Sequence, residues 1–258
     1  MVQTATYRMI STRVSPMVEL ARWLFERQGL AYREEAHAPM LHALATRGAG
    51  GGVEVPVVVT PDGAVWKGAR EVLAGIDAAG PPGRRVFGED AAERAANQAF
   101  VDDLLDHLLH EVRRFVYHQV LPNKRALLPT VTHRAPSWER WFVDALYPVW
   151  RGMMARGLDF SPQKLAEAPG RIEHALATVE AELARRGAPF LGGSEPGVLD
   201  IVFAALAGPL VFPRNYGARL PAVEDLPPEL QAFVRATRAR PAGDLVLRTY
   251  DAARFAER

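Results

Sequence analysis

No cysteine occurs among the 258 residues, which removes disulfides, thiolate zinc sites, iron–sulfur ligation and a cysteine nucleophile in one step. Any sulfur chemistry must use a thiol carried in by a ligand. Neither sign of charge dominates: 31 Lys and Arg against 30 Asp and Glu leave +1, so nothing draws the whole chain to nucleic acid, an acidic membrane or a polyanionic substrate. No apolar run is long enough to span a bilayer, and the first residues lack the charged region, apolar stretch and cleavage site of a secretory leader. A cytoplasmic protein with no membrane partner is expected. Metal-ligand spacing is also missing. His107, His110 and His118 lie near Glu111, but the HExxH pattern fails because its second histidine position is Arg114, so no metal is expected.

What is present is a globular composition, 48% hydrophobic and 24% charged, in a chain long enough for one large domain or two ordinary ones. Residues 10–16, ISTRVSP, are its most informative stretch. A short strand over residues 7–11 runs into a turn carrying Ser11, Thr12 and Ser15, and Pro16 suits a first helical position because its missing N–H would have had no partner there. Ser15 then falls at the N-cap, and capping alone accounts for a hydroxyl at that place. A helix start is also an anion site: unpaired N–H groups point outward and the dipole adds partial positive charge.

Over Pro16–Gln28, the residues Met17, Leu20, Ala21, Leu24 and Phe25 recur on one helical face, and Gly29 closes the helix. Residues 31–35 read as a polar, edge-like strand and 39–46 as one or two helical turns. The glycine run over 48–52 is a connection, since neither the Lys-Ser/Thr of a P-loop nor an apolar-periodic helix follows it. Residues 53–60, VEVPVVVT, form the strongest strand; Pro61, Asp62 and Gly63 turn the chain, residues 64–67 return, and Gly68–Ala79 is helical. Pro56 interrupts that strand as at an edge, a bulge or a cis bond. Pro81, Pro82 and Gly83 mark a linker within 80–88. Beyond it the chain reads as helical. One long helix spans 91–121, and a second spans 136–156 with a kink at Pro148. Ile172, Leu176, Val179 and Leu183 mark a third, stopped by Gly187. Residues 198–210 are apolar nearly all round, as in the middle of a bundle, and a shorter helix covers Pro228–Arg238. The tail from 241 has no clear reading.

A small α/β unit with a proline in its third strand, followed by helices, resembles the cytosolic glutathione transferase family over almost the whole chain. Three segments carry the resemblance: SPMVELARWLFERQGLAYREE, VEVPVVV and PFLGGSEPGVLDIVFAAL, the last similar to the family's core helix with its capping motif. There Asp200 keeps the acidic half of a capping box while Gly197 stands at the N-cap, so half of the box survives.

The resemblance implies a thioredoxin-like glutathione-binding domain over 1–80, a linker over 81–90 and an all-α helical bundle over 91–258. It implies glutathione as co-substrate, a homodimer, and a cis Val55–Pro56 bond with the Val55 backbone pairing with the ligand's cysteinyl part. Ser15 would stabilise the glutathione thiolate by hydrogen bonding, with Thr12 second and Ser11 third. His42 stands where relatives often place a basic group for the glycyl carboxylate.

The sequence departs from the family at Gly68 and Ala69, where Glu-Ser or Gln-Ser usually holds the γ-glutamyl end. Backbone N–H groups at that helix start, with Arg70, Lys67 or a partner subunit, would have to compensate. Phe115, Tyr117, Trp138 and Trp141 are candidates to line an apolar substrate pocket, or are simply core. The leading expectation is therefore a transferase joining glutathione to a small apolar electrophile. The alternative is a non-catalytic binding or dimeric interaction module of the same fold.

Overall fold

The computed structural model describes residues 6–81 and 85–254. Pro82 and Gly83, part of the expected linker, lie outside the described residues. A four-stranded sheet is laid down first, with β1 at Tyr7–Ser11, β2 at Tyr32–Ala36, β3 at Val57–Val59 and β4 at Val65–Lys67, in the order β2-β1-β3-β4. β1 runs parallel to β2 and antiparallel to β3, which is antiparallel to β4. The helix α1 (Pro16–Gln28) makes the crossover that a parallel pair requires, and Gly29 at φ 67° ends it in the left-handed conformation. Next come α2 (His42–Gly48) and α3 (Gly68–Ala79), the latter packed against α1.

The third strand is shorter than its sequence suggests. Pairing begins only at Val57, because Pro56 has no N–H to give a ladder; residues 53–55 bend instead, and the Val55–Pro56 peptide is cis.

The rest is helical: α4 (Ala91–His107), α5 (Leu109–Val120), α6 (Lys124–Val131), α7 (Ser137–Ala145), α8 (Tyr147–Gly157), α9 (Pro162–Arg186), α10 (Val198–Val211), α11 (Pro228–Arg238) and α12 (Pro241–Ala253). The single helix expected over 91–121 is two, parted at Leu108 (φ −100°, ψ −47°), across which the apolar periodicity runs on unbroken. Pro148 parts α7 from α8 for a clear reason. It cannot donate to the Asp144 carbonyl one turn back, and the Lys124 ammonium takes that carbonyl at 2.6 Å. α9 starts ten residues before its first marked apolar position and carries Pro169 inside it.

α10 is buried from Leu199 to Val211 and packs against α1, α4, α5, α11 and α12, so it is the axis on which both parts of the chain rest. The Asp200 carboxylate holds its start by accepting from the N–H groups of Leu191, Gly192 and Gly197 at 2.7–2.8 Å. Among the described residues no helix is long and apolar enough to cross a membrane.

Candidate functional site

The turn between β1 and α1 is held from several sides. The Thr12 carbonyl accepts the Ser15 N–H at 2.9 Å, and the Arg13 guanidinium reaches the Glu34 carboxylate at 2.7 Å and the Gly217 carbonyl at 2.6 Å. Arg22 donates to the Arg13 carbonyl at 2.5 Å. Ser11 does not face a cleft. It is fully buried and its hydroxyl donates to Glu34 on β2 at 2.5 Å, which takes it out of the candidate set as a group for a ligand. Thr12 is also buried. Ser15 is half-buried at the N-cap with extended backbone (φ −67°, ψ 129°), yet its side chain makes no cap hydrogen bond. The capping role that would have accounted for this serine is not being performed.

Beneath the turn lies a charged cluster that sequence reasoning missed. Glu19 and Arg22, both buried, face each other at 2.6 Å, and Glu19 also accepts from the Gly217 N–H and from Arg254 at 2.9 Å. Arg254 further pairs with Glu26. Burial works against the Arg22 charge, but Glu19 and Glu34 outweigh it and hold its pKa above the ordinary arginine value. The network ties α1 to residues some 200 positions away, and only a charged pair on an otherwise buried helix face hinted at it.

A second wall is formed by residues 53–55 and the start of α3. With pairing confined to Val57–Val59, the Val55 backbone takes no ladder partner. His42 is buried and its Nε2 meets the Val53 carbonyl at 2.8 Å, which fastens this segment to α2; burial lowers its pKa and so disfavours a positive charge there. Gly68 has φ +66°, and a Cβ there would come within 2.4 Å of the Glu54 carboxylate. Its left-handed conformation therefore opposes a side chain at this place, while the exposed Glu54 side chain could move aside. The Gly68 N–H is given to the Pro56 carbonyl at 3.2 Å, which leaves Ala69 and Arg70 to present the N–H groups of the first turn. The Arg70 side chain does not compensate for the missing acid and hydroxyl: it turns away to Asp102 and Asp106 of α4, both at 2.9 Å.

Against the first of these walls lies a cavity of about 540 Å³, its open mouth included, bounded by the α1 start, α5, α6, the end of α10 and residues 220–221. Val14 and Pro16, the neighbours of Ser15, line it on one side. Arg113 and Tyr117, one turn apart on α5, line it on another and are the main polar elements of an otherwise apolar wall. Burial raises the Tyr117 pKa to about 12. Burial also lowers the Arg113 pKa, against the fields of Tyr117 and Glu54. Of the other aromatic candidates, Phe115 packs against Phe233 in a tilted pair with ring centres 4.6 Å apart, while Trp138 and Trp141 are exposed. His118 meets the Phe160 ring edge-on, and His107 pairs at the surface with Asp103.

Comparison with known proteins agrees with this geometry. Residues 162–236 match the family model of the glutathione S-transferase C-terminal domain. A glutathione transferase from Phanerochaete chrysosporium superimposes with a TM-score of 0.65 at 15% identity, over 98% of this chain and 99% of that one. One from Ceriporiopsis subvermispora, in complex with glutathione, gives 0.57 at 12% identity over 97% and 99%. One from Methylobacterium radiotolerans, in complex with glutathione sulfonate, gives 0.52 at 18% identity over 98% and 97%. No curated protein matches in sequence. The chain thus has the glutathione transferase fold, a thioredoxin-like α/β unit followed by helices. Residues 162–236 thus match that family's C-terminal domain, and the fold around them is the one these glutathione transferases share.

Proposed function

We propose that the chain is a glutathione transferase-like enzyme that joins the thiolate of glutathione to a small apolar electrophile. The observation that carries this reading is the Ser15 hydroxyl, free of capping duty at the mouth of α1 and flanked by two residues of the cavity wall. A hydroxyl donating to sulfur favours thiolate over thiol, and the helix dipole acts in the same sense. The thiol proton passes to solvent. A C–S bond then forms as a leaving anion departs, or as the electrophile takes up a proton after addition. Thr12 is the second candidate for that hydroxyl. The Val55 backbone would pair with the cysteinyl part, and the N–H groups of Ala69 and Arg70 would take the γ-glutamyl carboxylate. Glu54, whose carboxylate lies against Gly68, supplies the acid that the start of α3 lacks and would accept the γ-glutamyl ammonium.

In this reading residues 1–80 bind glutathione, residues 91–258 hold the electrophile, and the enzyme is a cytoplasmic homodimer. Gly68, Ala69 and the tethered Arg70 favour the second reading, a non-catalytic binding module of the same fold. Calorimetric titration with glutathione, followed by an assay with a generic electrophile, separates the two. Binding at or below millimolar glutathione together with conjugate formation is the expected result. No heat at millimolar glutathione overturns the enzyme and leaves the module.

A further inference from the structure

We propose that the second substrate is an apolar carboxylic acid, bound with its carboxylate on Arg113 and its hydrocarbon part in the cavity below. The substrate role rests on the function proposed above; the binding site does not. Arginines drawn into this molecule are otherwise matched. Arg13 meets Glu34 and a carbonyl, Arg22 meets Glu19, Arg114 meets Glu111 and two carbonyls, and Arg254 meets Glu19 and Glu26. Arg113 has no ion pair or hydrogen bond among the described residues, although it is half-buried at the wall of the cavity. Glu54 acts on it through space without pairing with it.

An unpaired guanidinium beside apolar walls is costly to the ligand-free fold, and an anion delivered to it recovers that cost. The planar fork of arginine suits a carboxylate, and Tyr117, one turn on, lines the same cavity with a hydroxyl that makes no hydrogen bond among the described residues. Val14 and Pro16 on the opposite wall bring the rest of such a ligand beside Ser15. Apart from Arg113, Tyr117 and Thr130 the cavity is lined by apolar residues, which suits the hydrocarbon part of such a ligand.

The test compares decanoate with its neutral isostere decanamide by calorimetry on the full chain without glutathione. Decanoate should bind about tenfold tighter or more, as a charge-assisted pair provides. Arg113→Met should erase the preference while leaving decanamide affinity in place. Arg113→Lys should keep part of it, and Tyr117→Phe should reduce it. Arg113→Met should also raise the melting temperature of the ligand-free protein. Equal binding of the two probes to the parent protein overturns the inference, and so does a lowered melting temperature in Arg113→Met. If Arg113→Met weakens glutathione about tenfold and leaves decanoate unchanged, the arginine serves the thiol substrate; the inference then fails and the function stands. If the parent protein prefers decanoate but binds no glutathione, the site stands and the transferase reading fails.

Discussion

Charge is drawn inward at two places beside the β1–α1 turn, buried at one and half-buried at the other, and the two are built differently. Under α1, Glu19, Arg22, Glu34 and Arg254 pair with one another and with the backbone around them, although the buried Arg22 Nε–H makes no hydrogen bond. On α5, Arg113 faces an apolar cavity with no counterion in contact. A closed network of this kind fixes geometry: it sets the turn against the loop around Gly217 and the end of α12. An open one keeps its interaction energy for a ligand, since a charge without a partner destabilises the empty state and is relieved on binding. The same residue type thus serves architecture in one region and recognition in the other.

Breaking the closed cluster should have the largest effect. Glu19→Gln leaves Arg22 and Arg254 facing a neutral amide in the interior and should cost about 3–5 kcal/mol of unfolding free energy, measured by urea denaturation. A loss below ~1 kcal/mol would mean that the cluster is not the structural clamp described. Ser15→Ala comes next and touches chemistry. kcat/KM for conjugation should fall roughly 10–100-fold, the worth of a hydrogen bond to an anion. Stability should stay within about 0.5 kcal/mol, because the hydroxyl makes no cap bond to lose. Full turnover in that variant would remove Ser15 as the activating group.

Glu54→Gln sharpens the comparison from the ligand side. Its glutathione dissociation constant should rise about tenfold with folding unchanged, and unaltered binding would show that the acid beside Gly68 plays no part.

The smallest effect is one of pH. His37 meets the buried Glu139 carboxylate at 2.5 Å, and that hydrogen bond raises its pKa above the ordinary histidine value. A raised folded-state pKa stabilises the fold fully below the unfolded value near 6.5, and the contribution disappears as pH climbs through the folded one. His42 is shifted the other way and loses its contribution as pH falls below that same value. His37→Gln should therefore remove the decline in urea midpoint above about pH 6.5 and leave the acid-side decline intact. A parallel profile for parent and variant would assign no linkage to the His37–Glu139 pair.

Segments with local punctuation were legible without coordinates. Pro16 and Gly29 bracket α1 to the residue, Gly187 stops α9, and the apolar run from Val198 announces a helix buried on every side. Leu108 was not legible, because apolar spacing carries across a break that nothing local marks. α6 and α12 were missed for another reason: α6 is only eight residues long with Pro129 inside it, and α12 follows α11 after only residues 239 and 240. Among site residues, Ser15 and the cis Val55–Pro56 bond stood out in the chain. Glu54, Arg113 and the clamp at Glu19 did not.

Period, proline and glycine act within a few residues, so order of elements, fold class and the mouth of α1 were already written in the linear chain. Which hydroxyl is occupied, which arginine lacks a partner and which acid lies over Gly68 depend on residues far apart along the chain. Ser11 finds Glu34 23 residues on, and Arg254 finds Glu19 across 235. Such pairings exist only after packing has chosen them, because electrostatic partnership is a matter of distance in space, and no local pattern encodes that distance.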